Sequence, residues 1–306
     1  MSQTLTRRHA LLAGAALPFA AIAGMPRMAT AQTTGAMLPT HRDFTLGAFR
    51  VTTLLAGSRP QENPQETFGL NVSPEAFAAV SQANFIDPAL GRNFFTPTVV
   101  NTGSEVILFD TGLDAGGITS ALAAAGYAPG DITHVVLTHM HGDHIGGLTD
   151  ADGTPTFANA AYVAGATEYD HWAGAANDGF EAKVRPLSAA MTMIGDGDAV
   201  RSGITALAAP GHTPGHMGFM LESAGAQMLL MADTANHYVW SLAHPDWEVR
   251  FDADKGAAAA TRRRILGMAA ADRFAVIGYH MPFPGAGFVE TRGDGFHFVP
   301  VSYQFY

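Results

Sequence analysis

A single α/β domain of mixed strands and helices is the fold class this sequence predicts, on three observations. Residues 132–139, Ile-Thr-His-Val-Val-Leu-Thr-His, have the composition of a buried strand emptying into a loop. Further apolar, strand-like runs end at residues 209, 231 and 278, and each is followed within a few positions by His212, Asp233 or His280. Helical stretches lie between them, the clearest at residues 254–271 with its Ala-rich and Arg-rich turns.

Taken in order, the chain begins with Arg7-Arg8, an apolar run over residues 10–24 interrupted by Pro18, and Ala29-Thr30-Ala31. A basic head, a short apolar middle and a small-x-small end predict an export signal over residues 1–31, and paired arginines after a threonine point to the twin-arginine route. The run is short for a bilayer span, although an uncleaved membrane anchor is the competing reading. Residues 32–306 are then expected to form one catalytic domain in a periplasmic or secreted protein, without stable membrane association once the signal is removed.

The formal net charge is −10, and the leader contributes arginines but no acid, so the remainder is more acidic still. That balance argues against nucleic acid or an anionic membrane as a partner. The absence of cysteine excludes disulfides, thiolate metal ligands, a cysteine nucleophile and a lipoprotein anchor. A hydrophobic content of 47% permits a substantial core.

Residues 44–55 read as one or two strands. Residues 57–92, rich in Pro, Asn, Gln and Gly, read as an irregular lid or interface arm with a short helix at 74–82. A strand pair follows at 94–101 and 105–110 across Thr102-Gly103-Ser104, then a helix at 118–125 closed by Gly126. Beyond residue 150 the expected order is a strand at 156–164, helical pieces over 167–190, and strands at 204–209, 217–222 and 227–231. The helix at 254–271 and a buried strand at 274–278 complete it. Neither an internal repeat nor a linker divides this region.

The chemistry concentrates in Thr138-His139-Met140-His141-Gly142-Asp143-His144. His139 and His141, two apart on an extended chain, point the same way and can share an ion, whereas Asp143 and His144 fall where the chain turns and face a neighbouring position. One strand end can therefore feed two metal sites, and imidazole and carboxylate at this density suit zinc and similar ions. His212, Asp233 and His280 sit at other strand ends, where loops on a rigid sheet usually carry sites. His216 and Asp110 occupy similar places, the former in a structural or ligand-supporting role, the latter in a turn or hydrogen-bonded to a ligand histidine.

Together, His139-Met140-His141-Gly142-Asp143-His144, Asp110-Thr111-Gly112, Gly211-His212-Thr213-Pro214-Gly215-His216, Ala232-Asp233 and His280 resemble the metallo-β-lactamase superfamily. The resemblance implies a four-layer αββα sandwich with its metal site at one edge of two facing sheets. It places one ion on His139, His141 and His212 and a second on Asp143, His144 and His280, with Asp233 bridging. Two divalent ions per chain follow, zinc first, with manganese, cobalt or iron also compatible. Within the superfamily, His280-Met281-Pro282-Phe283-Pro284-Gly285 and Phe298-Val299-Pro300-Val301-Ser302-Tyr303 are most similar to the methyl parathion hydrolase group, a relative of the N-acyl-homoserine lactonases. Homodimers among those relatives imply a homodimer here, with residues 57–92 as a dimer contact or a cover over the site.

The resemblance implies a dinuclear hydrolase in which a metal-bridging hydroxide, positioned by Asp233, attacks a small neutral apolar ester, lactone or organophosphate triester. The alternatives are a dedicated acyl-homoserine lactonase, a mononuclear iron enzyme like the persulfide dioxygenases, a thiolester hydrolase like glyoxalase II, and a non-catalytic metal-binding protein. A complete set of seven ligands favours the hydrolase. Trp172 and Phe180 fall where the parathion hydrolase group carries aromatic pocket residues, with Phe283 as a third pocket candidate; ordinary core packing is the competing reading. Two departures bear on substrate. After Asp110-Thr111-Gly112 that group has a longer loop bearing an aromatic, whereas this chain runs Leu113-Asp114-Ala115-Gly116-Gly117. The lactonases place a tyrosine three residues after the bridging aspartate, and here that position is Asn236, with Tyr238 as the nearby substitute. The usual β-lactam-binding features are missing, which argues against antibiotic hydrolysis.

Overall fold

The computed structural model describes residues 39–305, so the leader expected over residues 1–31 lies outside the described residues. The chain opens with β1 (His41–Leu46), β2 (Phe49–Leu54), β3 (Gly57–Glu62), α1 (Pro74–Ala83), β4 (Leu90–Phe95), β5 (Thr98–Asn101) and β6 (Val106–Phe109). Next come α2 (Ala115–Ala124), β7 (His134–Leu137), the one-turn α3 (Gly142–Ile145), β8 (Ala161–Gly165), α4 (Ala166–Gly174), α5 (Asp178–Lys183) and β9 (Met191–Ile194). The second half holds β10 (Ala199–Arg201), β11 (Ile204–Ala208), β12 (Met217–Ser223), β13 (Ala226–Ala232), α6 (Lys255–Asp272), β14 (Ala275–Gly278), β15 (Ala286–Arg292) and β16 (Gly295–Pro300).

Two seven-stranded sheets result, ordered β1-β2-β5-β6-β7-β8-β9 and β10-β11-β12-β13-β14-β15-β16, with β3 and β4 as a separate pair. Strands β6 to β9 run parallel, as do β13 and β14, and the other pairings are antiparallel. Strand periodicity sorts side chains between layers. Ile107, Phe109, Val136 and Val163 face inward and meet Phe219, Met228, Leu230 and Ile277 of the other sheet. Their neighbours Leu108, Val135, Leu137 and Tyr162 face outward onto Ile118 and Leu122 of α2 and Phe180 of α5. On the far side Leu229, Met231 and Val276 pack on Ile265, Leu266 and Ala269 of α6. The expected four-layer αββα sandwich is thus built, each fully buried Leu or Ile stabilising it by about 1.5–3 kcal/mol.

Local signals set the helix starts. Ser73, Asp114 and Asp254 each accept a backbone N–H three residues on, capping α1, α2 and α6. In α6 the buried positions 258, 261, 262, 265, 266 and 269 trace one face at helical spacing. Several boundaries differ from the sequence reading. The strand expected at 94–101 is split at Thr96-Pro97, so β4 leaves the main sheet to pair with β3 while β5 stays in it. The irregular arm at 57–92 therefore contains a strand; Gly57-Ser58-Arg59-Pro60-Gln61-Glu62 has no β-branched or aromatic residue to announce one, and pairing alone makes it extended. β8 begins at Ala161 because residues 156–160 form turns, and the strands β9, β10, β15 and β16 were not anticipated. Among the described residues no helix is long and apolar enough to cross a membrane.

The turn after β6 is locked onto α3: Thr111 N and Oγ1 both donate to the carbonyl oxygen of His144, each at 2.8 Å. Gly146, just past α3, fits beneath this turn only for want of a side chain, since a Cβ would stand 2.1 Å from the Leu113 carbonyl oxygen. Gly146→Ala is expected to destabilise the protein by about 1–3 kcal/mol through forced backbone displacement. The denaturant midpoint checks this, and an unchanged midpoint would show that the two segments yield.

Candidate metal centre

Both sheets end their strands at the same rim. From the first sheet, the segment after β7 carries His139, His141 immediately precedes α3 at its N-cap position, and α3 itself presents Asp143 and His144. From the second, the loop after β11 carries His212, and Asp233 and His280 follow β13 and β14. Three donor groups form among the described residues: His139 with His141 and His212, His139 with His144 and Asp233, and Asp143 with His144 and His280, the ligand atoms of each lying within 4.8 Å of one another. All seven predicted ligands are therefore brought together.

The geometry fits cations. His141 Nδ1 stands 3.0 Å from His139 Nε2 and 3.0 Å from His212 Nε2; nitrogens held tetrahedrally around zinc lie about 3.3 Å apart. His144 Nε2 and Asp233 Oδ1, 3.3 Å apart, are buried with no hydrogen-bond partner among the described residues, a costly condition that a metal ion between them relieves. Away from this point, four of the rings are anchored through the other nitrogen. His144 Nδ1 meets Asp110 Oδ2 at 2.8 Å, His212 Nδ1 meets Asp252 Oδ1 at 3.0 Å, His280 Nδ1 meets the Phe94 carbonyl oxygen at 2.8 Å, and His139 Nδ1 is 3.1 Å from Thr138 Oγ1. Such contacts orient ligand rings and fix their tautomers. Asp110, at φ 60 in the turn after β6, also accepts from Thr138 N and Oγ1, so it sits in a turn and is hydrogen-bonded to a candidate ligand histidine. His216 stands behind the site, its Nδ1 against the Ala209 carbonyl oxygen and its Nε2 accepting from Asp233 N.

The sequence profile of the Metallo-beta-lactamase superfamily matches residues 96–275. The chain belongs to the metallo-β-lactamase superfamily. It is similar to AidC, a dizinc quorum-quenching lactonase, with 25% identity and a TM-score of 0.79 over 86% of this chain and 98% of that one. It is also similar to the hydroxyacylglutathione hydrolase of Cereibacter sphaeroides, 34% identical over 115 residues that cover 37% of each chain. An N-acyl homoserine lactonase of a Bacillus species is 28% identical over 120 residues, covering 39% of this chain and 45% of the lactonase. The matched stretches span 27% to 45% of the lengths of these and the other leading curated relatives.

Opposite charges crowd at the rim. Burial disfavours the charged His212 ring, but the carboxylates of Asp233 and Asp252 outweigh it and raise the ring to about 9. Burial is likewise overcome at His280, raised to about 10 chiefly by Asp233, and at His144, raised by Asp233 and Asp110. Asp233 and Asp143 fall below the usual carboxylate range against the effect of burial, under the histidine charges. His141 moves the other way, to about 4, through burial and the neighbouring His212.

Beside the ligands opens a cavity of about 420 Å³, whose floor includes His141, Asp143, His212, Asp233 and His280. Its walls are Arg59, Phe68, Asn93, Phe95, Leu113, Asn236 and Phe251. Residues 57–92 contribute Arg59 and Phe68 to this lining, and Leu113 contributes from the turn after β6. The predicted pocket aromatics do not line this cavity. Phe180 is fully buried beneath α4, its ring 5.4 Å from Tyr169. Trp172 lies edge-on to His141 at 5.6 Å and so touches a ligand from outside the cavity. Phe283 is half-buried in the turn between β14 and β15. Tyr238 packs against His237, whereas Asn236 Nδ2 donates to Asp233 Oδ2 at 2.9 Å. Leu113 and Asn236 are singled out in the sequence, whereas Arg59, Phe68, Asn93, Phe95 and Phe251 are not, because isolated residues of these types carry no spacing signal.

Asp252 and Arg262 also escaped the sequence reading. Arg262 Nη1 donates to Asp252 Oδ2 at 2.8 Å, both side chains being buried. Arg262→Met strands the Asp252 charge and should cost about 3–5 kcal/mol, read by urea unfolding. His237, which no ligand role uses, is pushed down to about 3 by burial, and its Nδ1 accepts from Val239 N and Trp240 N. The unfolded chain takes up this proton below about pH 6.5 while the folded protein does not, so stability present above that pH is lost progressively towards pH 3. His237→Asn should flatten unfolding free energy against pH by up to about 1.4 kcal/mol per pH unit in that window, and an unaltered slope would refute the assignment.

Proposed function

We propose that this protein is a dinuclear metal-dependent hydrolase that cleaves a neutral lactone or ester, with organophosphate triesters in the wider class its centre accepts. The interlocking of the donor groups carries the reading: His139 and His144 each belong to two of them. Asp233 supports it, because its carboxylate lies 3.3 Å from His144, 3.2 Å from His212 and 3.1 Å from His280, touching rings of both expected ion sites as a bridging ligand must. Divalent ions there, zinc first, supply a polarising centre for a carbonyl or phosphoryl oxygen and bring the pKa of water towards neutrality.

The chain's own residues do the positioning. Asn236 holds one oxygen of Asp233, so the carboxylate cannot rotate freely between the two ion sites. Phe68, Phe95, Leu113 and Phe251 form an apolar wall that accepts an acyl or aryl group and keeps bulk water from the reacting bond. Arg59 and Asn93, opposite one another on β3 and β4, offer donors to a carbonyl remote from the scissile bond. The broad likeness to AidC favours a lactone. A thioester is the second reading, favoured by the 34% identity to a hydroxyacylglutathione hydrolase. Export through the leader and assembly as a homodimer belong to the same proposal.

Metal-replete protein assayed on acyl-homoserine lactones, aromatic lactones, aryl esters, an acyl thioester and methyl parathion tests the substrate class, with fastest turnover expected on a lactone or ester. Asp233→Ala is expected to lower metal occupancy and reduce kcat/KM by more than about 100-fold. One iron per chain in protein carrying its native metal, with no hydrolysis across the panel, would sink the reading.

A further inference from the structure

We infer that Glu168 is a positioning residue for one of the two ion sites, acting through the segments that carry His141 and His212. Glu168 lies in the first turn of α4, 1% exposed, and it ligates nothing. Its Oε1 accepts from Met140 N at 2.9 Å and from Trp172 Nε1 at 2.6 Å, and its Oε2 accepts from Thr213 Oγ1 at 2.6 Å and Gly215 N at 3.0 Å. Four donors thus converge on one buried carboxylate that has no Lys or Arg partner among the described ion pairs. Buried charge of this kind persists only when fully hydrogen-bonded.

What the donors have in common is their address. Met140 lies between His139 and His141, Trp172 packs its ring edge-on to His141, and Thr213 and Gly215 flank the turn that follows His212. Gly215 passes so close to α4 that a Cβ would meet Glu168 N at 2.1 Å. The dependence is sharpest at His141. The other four ligand rings each have an anchoring contact on the nitrogen turned away from the centre, from Asp110, Asp252, Phe94 or Thr138. No such contact is seen for His141 Nε2 among the described hydrogen bonds, so its ring is set by Trp172 and by the backbone at Met140, both of which Glu168 holds. None of these bonds reaches Asp143, His144 or His280.

The inference rests on the two-ion reading and predicts an asymmetry. Glu168→Gln places an amide N–H₂ against donors and should weaken the His139/His141/His212 site by about 10–100-fold, leaving the Asp143/His144/His280 site near wild-type affinity. Cobalt(II) titration of metal-free protein with chelator competition reads the two affinities, and the cobalt absorption spectrum of the weakened site should shift. Thermal unfolding of the metal-free variant reports the fold independently. Trp172→Phe, which removes a single donor and keeps a ring, should weaken the same site more mildly, so the test survives if Glu168→Gln misfolds. Equal weakening of both sites, or of neither, in the folded variants overturns the assignment. Wild-type protein that binds fewer than two ions overturns the dinuclear reading, a result distinguishable from a symmetric loss in the variants.

Discussion

Lone pairs aimed at one small buried volume repel one another unless positive charge sits among them, and this constraint organises the molecule. His141 Nδ1 at 3.0 Å from both His139 Nε2 and His212 Nε2, and a carboxylate oxygen 3.3 Å from an unpartnered imidazole nitrogen, make a donor set that suits cations. The carboxylates of Asp233, Asp110 and Asp252 favour positive charge at His144, His212 and His280 against the effect of burial. The packing elsewhere keeps those donors converged.

The two sheets are suited to this because their inner faces clamp one apolar layer and hold strand ends from both at a common rim. Convergence then depends on contacts just behind the donors. Asp110 ties β6 to the α3 turn, Asp252 and Arg262 tie His212 to α6, and Glu168 ties α4 to two ligand-bearing loops. Each is a buried carboxylate whose hydrogen bonds cross between elements distant in sequence. The apolar wall of the cavity is assembled from several segments, Phe68 and Phe95 from the β3–β4 pair and its flanks, Leu113 from the turn after β6 and Phe251 from the stretch before α6.

Much of the centre was legible in the chain because its ligands carry dense local signals. His139, His141, Asp143 and His144 sit within six positions, and His212, Asp233 and His280 each punctuate an apolar run. The central strands were legible for the same reason, through continuous β-rich runs. The arm at residues 57–92 was misread in part, since a polar strand gains its conformation from pairing rather than composition. The placing of Phe180 and Trp172 as pocket aromatics failed too: alignment with a related group locates residues along a helix, but helix rotation and depth decide whether a ring faces a cavity, a ligand or the core.

The sequence by itself determined the donor chemistry and the layered α/β arrangement, because ligand type, strand periodicity and capping residues are properties of short segments. Only the tertiary structure decided which carboxylates orient the ligands and which side chains line the cavity. Glu168, Asp252, Phe68 and Phe251 take their roles from neighbours that are remote along the chain, and such contacts exist only once the sheets and helices have packed.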